Sequence, residues 1–274
     1  MCETCGCDAD GSVVSHVANG EPMHVHVHVH ADGQVVQHSH EHDPVKGPRI
    51  RESVQVQVLA RNQALAARNR LLLQEQRVFA VNLMSSPGAG KTTLLSRTLP
   101  ELSRNGPVGV IEGDQATALD ADRIAQTGVP VVQINTGKGC HLDADMIFAA
   151  MQQLSPAPSS LLIIENVGNL VCPALFDLGE GKRIVLLSVT EGDDKPEKYP
   201  NMFAAANLVV LTKIDLLAHV DFDVARARRG VLQLNPQAEW LEVSAKTGAG
   251  LPAWLAWLES QRATSLSTAA RLAL

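Results

Sequence analysis

Two groups of residues in this 274-residue chain have types and spacings suited to chemistry, and they are of different kinds. The first is the run Ser85-Ser86-Pro87-Gly88-Ala89-Gly90-Lys91-Thr92-Thr93. Glycines at 88 and 90 let the backbone turn so that successive N–H groups face an anion at a helix start. Ser86, Ala89 and Thr93 belong to the same cradle. Lys91 would reach the β- and γ-phosphates, and the Thr92 hydroxyl would sit on Mg²⁺. Ser85 stands where such loops usually carry their first glycine. The second group lies at the amino terminus. Cys2, Cys5 and Cys7 place three thiols within six residues, and imidazoles follow at His24, His26, His28, His30, His38, His40 and His42. Thiolates hold borderline and soft ions, and imidazoles suit Ni²⁺, Cu²⁺ and Zn²⁺.

Further residues extend the nucleotide site. Asp215, in Thr212-Lys213-Ile214-Asp215, follows an apolar run. A carboxylate there accepts two hydrogen bonds from guanine N1–H and the 2-amino group, a donor pair adenine lacks, so the base is read as guanine. Lys213 would lie along the base. Ser244-Ala245-Lys246 follows the last apolar run, where a backbone N–H would meet guanine O6. Two acids close other runs. Glu165 would hold Mg²⁺ through water, with Gly168 beside it as a γ-phosphate sensor. Asp114 would contact Mg²⁺ or position the attacking water. Helix caps and ordinary strand-end acids are the alternative readings of both. No arginine finger or catalytic glutamine stands out, so slow hydrolysis of GTP to GDP is expected.

The terminal thiols read as a mobile capture site, since a structural zinc site draws four ligands from two separated pairs. Removal of Met1 would free the Cys2 amine as a fourth, nitrogen ligand, a set that suits Ni²⁺. The histidines read as a weak nickel reservoir, because alternating residues of an extended chain face one side. A third metal candidate is Cys140-His141 with Cys172. Buried, inert cysteines are the plainer reading of such residues. The position of Cys172 four residues after Gly168 favours metal and suggests that nucleotide state reaches it.

The elements that must carry these residues follow from pattern. Apolar runs at 78–84, 108–112, 131–134, 161–165, 184–189, 208–212 and 241–243 alternate with helical stretches starting near Lys91, Asp120, Leu142, Tyr199, Asp223 and Leu251. Alternation of this kind implies an α/β fold with a mostly parallel sheet flanked by helices. Residues 1–45 contain no Lys or Arg and eight of the ten histidines, and no Phe, Trp or Tyr precedes Phe79. Such a segment buries little apolar surface, and a disordered Cys/His-rich extension is expected. Residues 50–76 read as an amphipathic linker helix with Val58, Leu65 and Leu72 on its apolar stripe and Arg61, Asn62, Arg68 and Asn69 between them. The main domain then spans 77–262, and 263–274 reads as a frayed tail.

Composition narrows the partners. A net charge of −6 and an acidic amino terminus argue against nucleic acid. No apolar run is long enough for a membrane span, and no secretory signal is visible. Five cysteines, three of them clustered, favour metal chemistry in a reducing cytoplasm over disulfides.

Taken with SSPGAGKTT, four further blocks resemble the HypB family. They are Glu112-Gly113-Asp114-Gln115, Thr136-Gly137-Lys138-Gly139-Cys140-His141-Leu142-Asp143-Ala144, the segment from Glu165-Asn166-Val167-Gly168 to Cys172-Pro173, and Ser188-Val189-Thr190-Glu191-Gly192-Asp193-Asp194-Lys195. These are GTPases that assist nickel insertion into [NiFe]-hydrogenase. The resemblance implies a P-loop GTPase domain that dimerises on GTP. It implies a nickel or zinc site at Cys140, His141 and Cys172 near the dimer interface, and a high-affinity nickel motif at Cys2, Cys5 and Cys7. It implies as partners a small zinc-containing nickel metallochaperone of the HypA kind and the hydrogenase large-subunit precursor. The expected function is that of a GTP-hydrolysing nickel metallochaperone. A urease-type accessory GTPase and a nickel store or buffer are the rivals.

Overall fold

The computed structural model describes residues 14–18, 21–29, 35–40, 47–115 and 119–272, with side chains from 56 to 115 and from 119 to 265. Cys2, Cys5, Cys7, His30 and His42 lie outside the described residues. The chain divides into two compact units, 1–60 and 61–274.

In the first unit, β1 (Val14–Ala18), β2 (Glu21–Val29) and β3 (Val35–His40) form an antiparallel three-stranded sheet in the order β1-β2-β3. Valine alternating with histidine has the two-residue period of a strand. The register pairs His24 with His40 and His26 with His38. These strands fall within the segment read from sequence as a disordered extension; the rest of that segment is outside the described residues.

The division falls within helix α1 (Gly47–Glu75), whose residues 61–75 belong to the second unit. Its buried face corrects the sequence reading. The expected apolar stripe includes Val58, which is exposed; the buried positions are Asn62, Ala66, Asn69 and Leu73. Spacings of four, three and four make one helical face. Both atoms of the Asn62 carboxamide and the Asn69 Nδ2 are hydrogen-bonded to backbone, which offsets their burial, while the buried Asn69 Oδ1 has no partner among the described residues.

The second unit is a seven-stranded sheet. Its strands are β4 (Phe79–Ser85), β5 (Val108–Asp114), β6 (Val131–Asn135), β7 (Leu161–Glu165), β8 (Lys182–Ser188), β9 (Leu208–Thr212) and β10 (Glu239–Glu242). The order is β10-β9-β8-β4-β7-β5-β6, and every pairing is parallel. Strands β4, β7 and β9 are buried along their whole length, as continuous apolar runs in a sheet covered on both faces should be. The covering helices are α2 (Lys91–Leu102), α3 (Leu119–Ala125), α4 (Ala144–Leu154), α5 (Lys195–Lys198), α6 (Pro200–Ala204), α7 (Val224–Leu234) and α8 (Leu251–Leu272). The α8 helix continues to Leu272, through residues read from sequence as a frayed tail. In a parallel sheet all carboxyl ends of strands lie at one edge, and ligands bind in the crevice there. Ser85, Asp114, Glu165, Ser188 and Thr212 are the last residues of their strands.

Candidate functional site

The loop between β4 and α2 turns as its glycines allow. Gly88 and Gly90 have φ of 75° and 99°, a region a side chain would strain. Lys91 folds back over the loop, its Nζ donating to Ser85 Oγ at 2.9 Å. Ser85 therefore does more than replace a glycine, since its hydroxyl also donates to the Ser86 carbonyl at 2.6 Å. Ser86 Oγ donates to Glu191 Oε2 at 2.5 Å. Burial lowers the Lys91 pKa, opposed chiefly by the Glu165 carboxylate. This loop lines a cleft of about 440 Å³ together with Glu112, Asp114, Asp120, Arg123, Glu165 and Gly168. Gly168 lies so close to the loop that a Cβ there would stand 2.8 Å from the Pro87 Cα.

Three acids meet at this edge, and they rank differently from the sequence reading. Glu165 is buried, and its Oε1 accepts from Thr92 Oγ1 at 2.7 Å. Burial raises its pKa to about 6, partly offset by Lys91. Glu112 stands in register with Glu165 on the neighbouring strand and is equally buried. Burial, reinforced by Glu165 and Asp114, pushes its pKa to about 8. Each has one buried oxygen, Oε2, with no hydrogen-bond partner. Two adjacent carboxyl groups with unpartnered oxygens beside a threonine hydroxyl form a donor set that suits a hard divalent cation such as Mg²⁺. Asp114, singled out from sequence, lines the cleft, but its Oδ1 accepts the Gln115 N–H at 2.7 Å. Glu112 was not singled out. Strand alternation carries the signal, because it puts 112 and 114 on one face. Arg123 was also missed: it lines the cleft, with Nη2 3.2 Å from Thr93 Oγ1.

A second pocket of about 270 Å³ adjoins the cleft, sharing Gly90, Thr93 and Lys213 with it. Asp215, Ala245 and Lys246 line it with Leu216 and Val243. Ser244, fully buried, donates its hydroxyl to Asp215 Oδ1 at 2.5 Å and fixes the carboxylate. Lys213 sits at φ 59°, and its Nζ donates to the Gly88 carbonyl at 2.7 Å. Thr212 Oγ1 donates to the Ala89 carbonyl at 2.7 Å, binding this loop to the phosphate loop. Lys213, Asp215, Ser244, Ala245 and Lys246 are thus gathered at one pocket that opens into the phosphate cleft, the shape of a base site beside a triphosphate site.

Cys140 and His141, after β6, come together with Cys172, after β7. Their ligand atoms lie within 4.8 Å of one another. Cys140 Sγ is 2.9 Å from Cys172 Sγ and 3.7 Å from His141 Nδ1. Burial lowers the His141 pKa, so the neutral, metal-binding imidazole is favoured, and the ring stacks on Phe176 at 3.9 Å. Two thiols and an imidazole suit Ni²⁺ and Zn²⁺ alike. Helix α1 braces both arms of this site. Asn62 Oδ1 accepts the Ala144 N–H at 2.9 Å and its Nδ2 donates to the Asp177 carbonyl at 2.8 Å. Asn69 Nδ2 donates to the carbonyls of Ala144 and Leu178 at 2.7 and 3.0 Å. Arg70 adds a two-pronged pair with Asp177 at 2.9 and 2.8 Å.

Comparison with known proteins agrees with this arrangement. Residues 79–242 match the family described as CobW/HypB/UreG, nucleotide-binding domain. The hydrogenase maturation factor HypB of Rhizobium leguminosarum bv. viciae is 56% identical over 206 residues, covering 75% of this chain and 69% of the relative. HypB from Archaeoglobus fulgidus superposes with a TM-score of 0.70 at 41% identity, over 74% of this chain and 99% of that one. HypB from Helicobacter pylori, solved in complex with nickel, gives 0.71 at 38% identity, over 75% of this chain and 97% of that one.

Proposed function

The chain belongs to the HypB hydrogenase maturation factors of the CobW/HypB/UreG family, and from that premise we propose that it is a GTP-hydrolysing nickel metallochaperone. One feature supports guanine over adenine. Asp215 faces the base pocket as a fixed double acceptor, and a site built around such a carboxylate leaves it unpaired when the base lacks the donors. Lys91 and the backbone N–H groups of 88–93 bind the phosphates. Thr92, Glu165 and Glu112 would hold Mg²⁺, which neutralises the charge developing between the β- and γ-phosphates. Asp114 orients water at the mouth of the cleft.

Nickel is the cargo, taken up at Cys140, His141 and Cys172. Three ligands leave coordination positions open, which suits transfer better than storage. The observation that carries this reading is the segment from Glu165 to Cys172. One end lies in the phosphate cleft and the other is a candidate metal ligand, seven residues apart in sequence. Val171 and Leu175, apolar and exposed beside Cys172, suit burial against a second copy in a GTP-dependent dimer. The Cys2, Cys5 and Cys7 motif would capture nickel first, and the histidine-bearing sheet, pairing His24 with His40 and His26 with His38, supports a reservoir role. We place the linker helix at 50–76 and the GTPase domain at 77–262. Delivery would run to the hydrogenase large-subunit precursor in the cytoplasm, with a HypA-like metallochaperone as partner. Among the described residues no helix is long and apolar enough to cross a membrane.

The test is Lys91→Ala. It should cut GTP turnover by ~100-fold or more and abolish nickel-dependent hydrogenase activity in cells lacking the native factor. Full hydrogenase activity with turnover lost would overturn the reading.

A further inference from the structure

The metal arm at 139–142 is held by side chains of the nucleotide-facing loops, and the holds differ in kind. Leu142 is fixed. It is fully buried, and its side chain fills the space over Gly113, where a Cβ would meet it at 2.8 Å. Its N–H donates to Asn166 Oδ1 at 3.3 Å. Asn166 is itself buried and immobilised by Asn82 Oδ1, which accepts from its Nδ2 at 3.2 Å. Cys140 is held from a different place. Its carbonyl accepts from Asn169 Nδ2 at 3.2 Å. Asn169 is half-buried and sits between Gly168, packed on the phosphate loop, and Cys172. Its Oδ1 accepts the Val171 N–H at 2.8 Å, closing the turn that presents Cys172.

We propose that Asn169 is the positioning residue through which nucleotide state reaches both thiolates, because its carboxamide ties the Cys140 backbone to the segment carrying Cys172. The proposal rests on the nickel-delivery reading above. A shift of Gly168 against the phosphate loop would carry Cys172 along the chain. The Cys140 Sγ–Cys172 Sγ contact at 2.9 Å also joins the arms, but it is given up when both thiols turn to a metal ion; without the Asn169 bond the Cys140 backbone would then stay with the fixed Leu142. With the Asn169 bond, Cys140 is drawn with the moving arm and pivots about Leu142. The two sulfurs and the His141 imidazole then change their mutual geometry as a set, and a change of that kind alters affinity for an ion with geometric preferences. A single carboxamide donating to one arm and accepting from the other makes the tie, so its two bonds can be separated by substitution. Asn169→Asp keeps an acceptor for the Val171 N–H and removes the donor to Cys140. Asn169→Ala removes both.

The experiment uses the full-length chain with Cys2, Cys5 and Cys7 changed to Ala. Thiolate-to-nickel charge-transfer absorbance then reports Cys140 and Cys172 alone, since the chain has five cysteines. Ni²⁺ is titrated with GDP and with a non-hydrolysable GTP analogue, and GDP affinity serves as the check of folding. The parent should show a ratio of nickel affinities of fivefold or more and a displaced band between the two nucleotides. Asn169→Asp should bring the ratio within twofold and leave the band in place, with GDP affinity unchanged. Asn169→Ala should behave alike and decides the matter if the Asp variant does not fold. A parent with a large ratio that either folded variant retains overturns the proposal alone. Loss in Asn169→Ala but not in a folded Asn169→Asp assigns the effect to the Val171 turn and also overturns it. A parent with no ratio sinks the delivery reading and the proposal together.

Discussion

Replacing Glu112 by Gln should stabilise the nucleotide-free protein in alkali, although the residue faces the functional cleft. Its carboxyl has a pKa raised from 4.5 to about 8 by burial and by Glu165. The folded state therefore binds this proton more tightly than the unfolded state does. The sign follows: the cost to folding is absent below pH 4.5, where both states are protonated, grows between 4.5 and 8, and is complete above 8. A shift of that size has an upper bound of about 4–5 kcal/mol at 1.36 kcal/mol per unit. Because the carboxyl faces a solvent-filled cleft, about 2–3 kcal/mol is the realistic figure. For a folded unit of this size that corresponds to a rise in Tm of roughly 5–10 °C. Thermal denaturation of wild type and Glu112→Gln, in chelator without nucleotide, at pH 5 and pH 8.5, makes the comparison. The variant should gain at pH 8.5 and gain under about 2 °C at pH 5. It should also bind Mg²⁺ with the GTP analogue more weakly, because a neutral amide replaces an anionic ligand. Equal Tm differences at the two pH values, or a less stable variant at pH 8.5, would refute the reasoning.

Three other substitutions probe separate parts of the account. Asp215→Ala removes two charge-assisted hydrogen bonds to guanine, about 3 kcal/mol together, so GDP affinity should fall ~100-fold by calorimetry while ATP remains a poor ligand. His141→Ala should weaken nickel at the internal thiolates ten- to hundredfold. Because burial lowers the His141 pKa, the neutral imidazole persists to lower pH than in an exposed histidine. In charge-transfer titrations the advantage of wild type over variant should therefore be lost at lower pH than an exposed imidazole would give, and loss at higher pH would contradict the assigned environment. Asn69→Ala leaves the buried carbonyls of Ala144 and Leu178 without this donor, which should cost about 2–3 kcal/mol in urea denaturation; a loss under about 0.5 kcal/mol would show that α1 is not a brace.

What the sequence revealed and concealed follows from the range of the interactions. The central strands of the main sheet were legible because buried parallel strands are continuous apolar runs. The phosphate loop was legible because its chemistry lies in one stretch of nine residues. Asp215 with Ser244 was legible because each follows a strand, and all carboxyl ends of a parallel sheet share an edge. Glu112 was hidden behind its neighbour Asp114, since only the register with Glu165 reveals which acid is buried. Asn62 and Asn69 looked like a polar helix face because composition cannot show that their partners are backbone N–H and carbonyl groups more than 70 residues away. Arg123 was passed over because nothing local distinguishes a helical arginine that reaches a distant cleft. The resemblance to HypB, by contrast, rested on long contiguous blocks, and the family match spans them.

Nickel delivery requires a free-energy link between the nucleotide cleft and the thiolates at Cys140 and Cys172. Its most direct measurement is the affinity of Mg²⁺-bound GTP analogue for the chain with Cys2, Cys5 and Cys7 changed to Ala, with and without one equivalent of Ni²⁺, compared with the same pair of measurements for GDP. Linkage requires that nickel change the two nucleotide affinities unequally, by a factor of about five or more, corresponding to at least ~1 kcal/mol of coupling. Nickel altering both by the same factor, or neither, would contradict it.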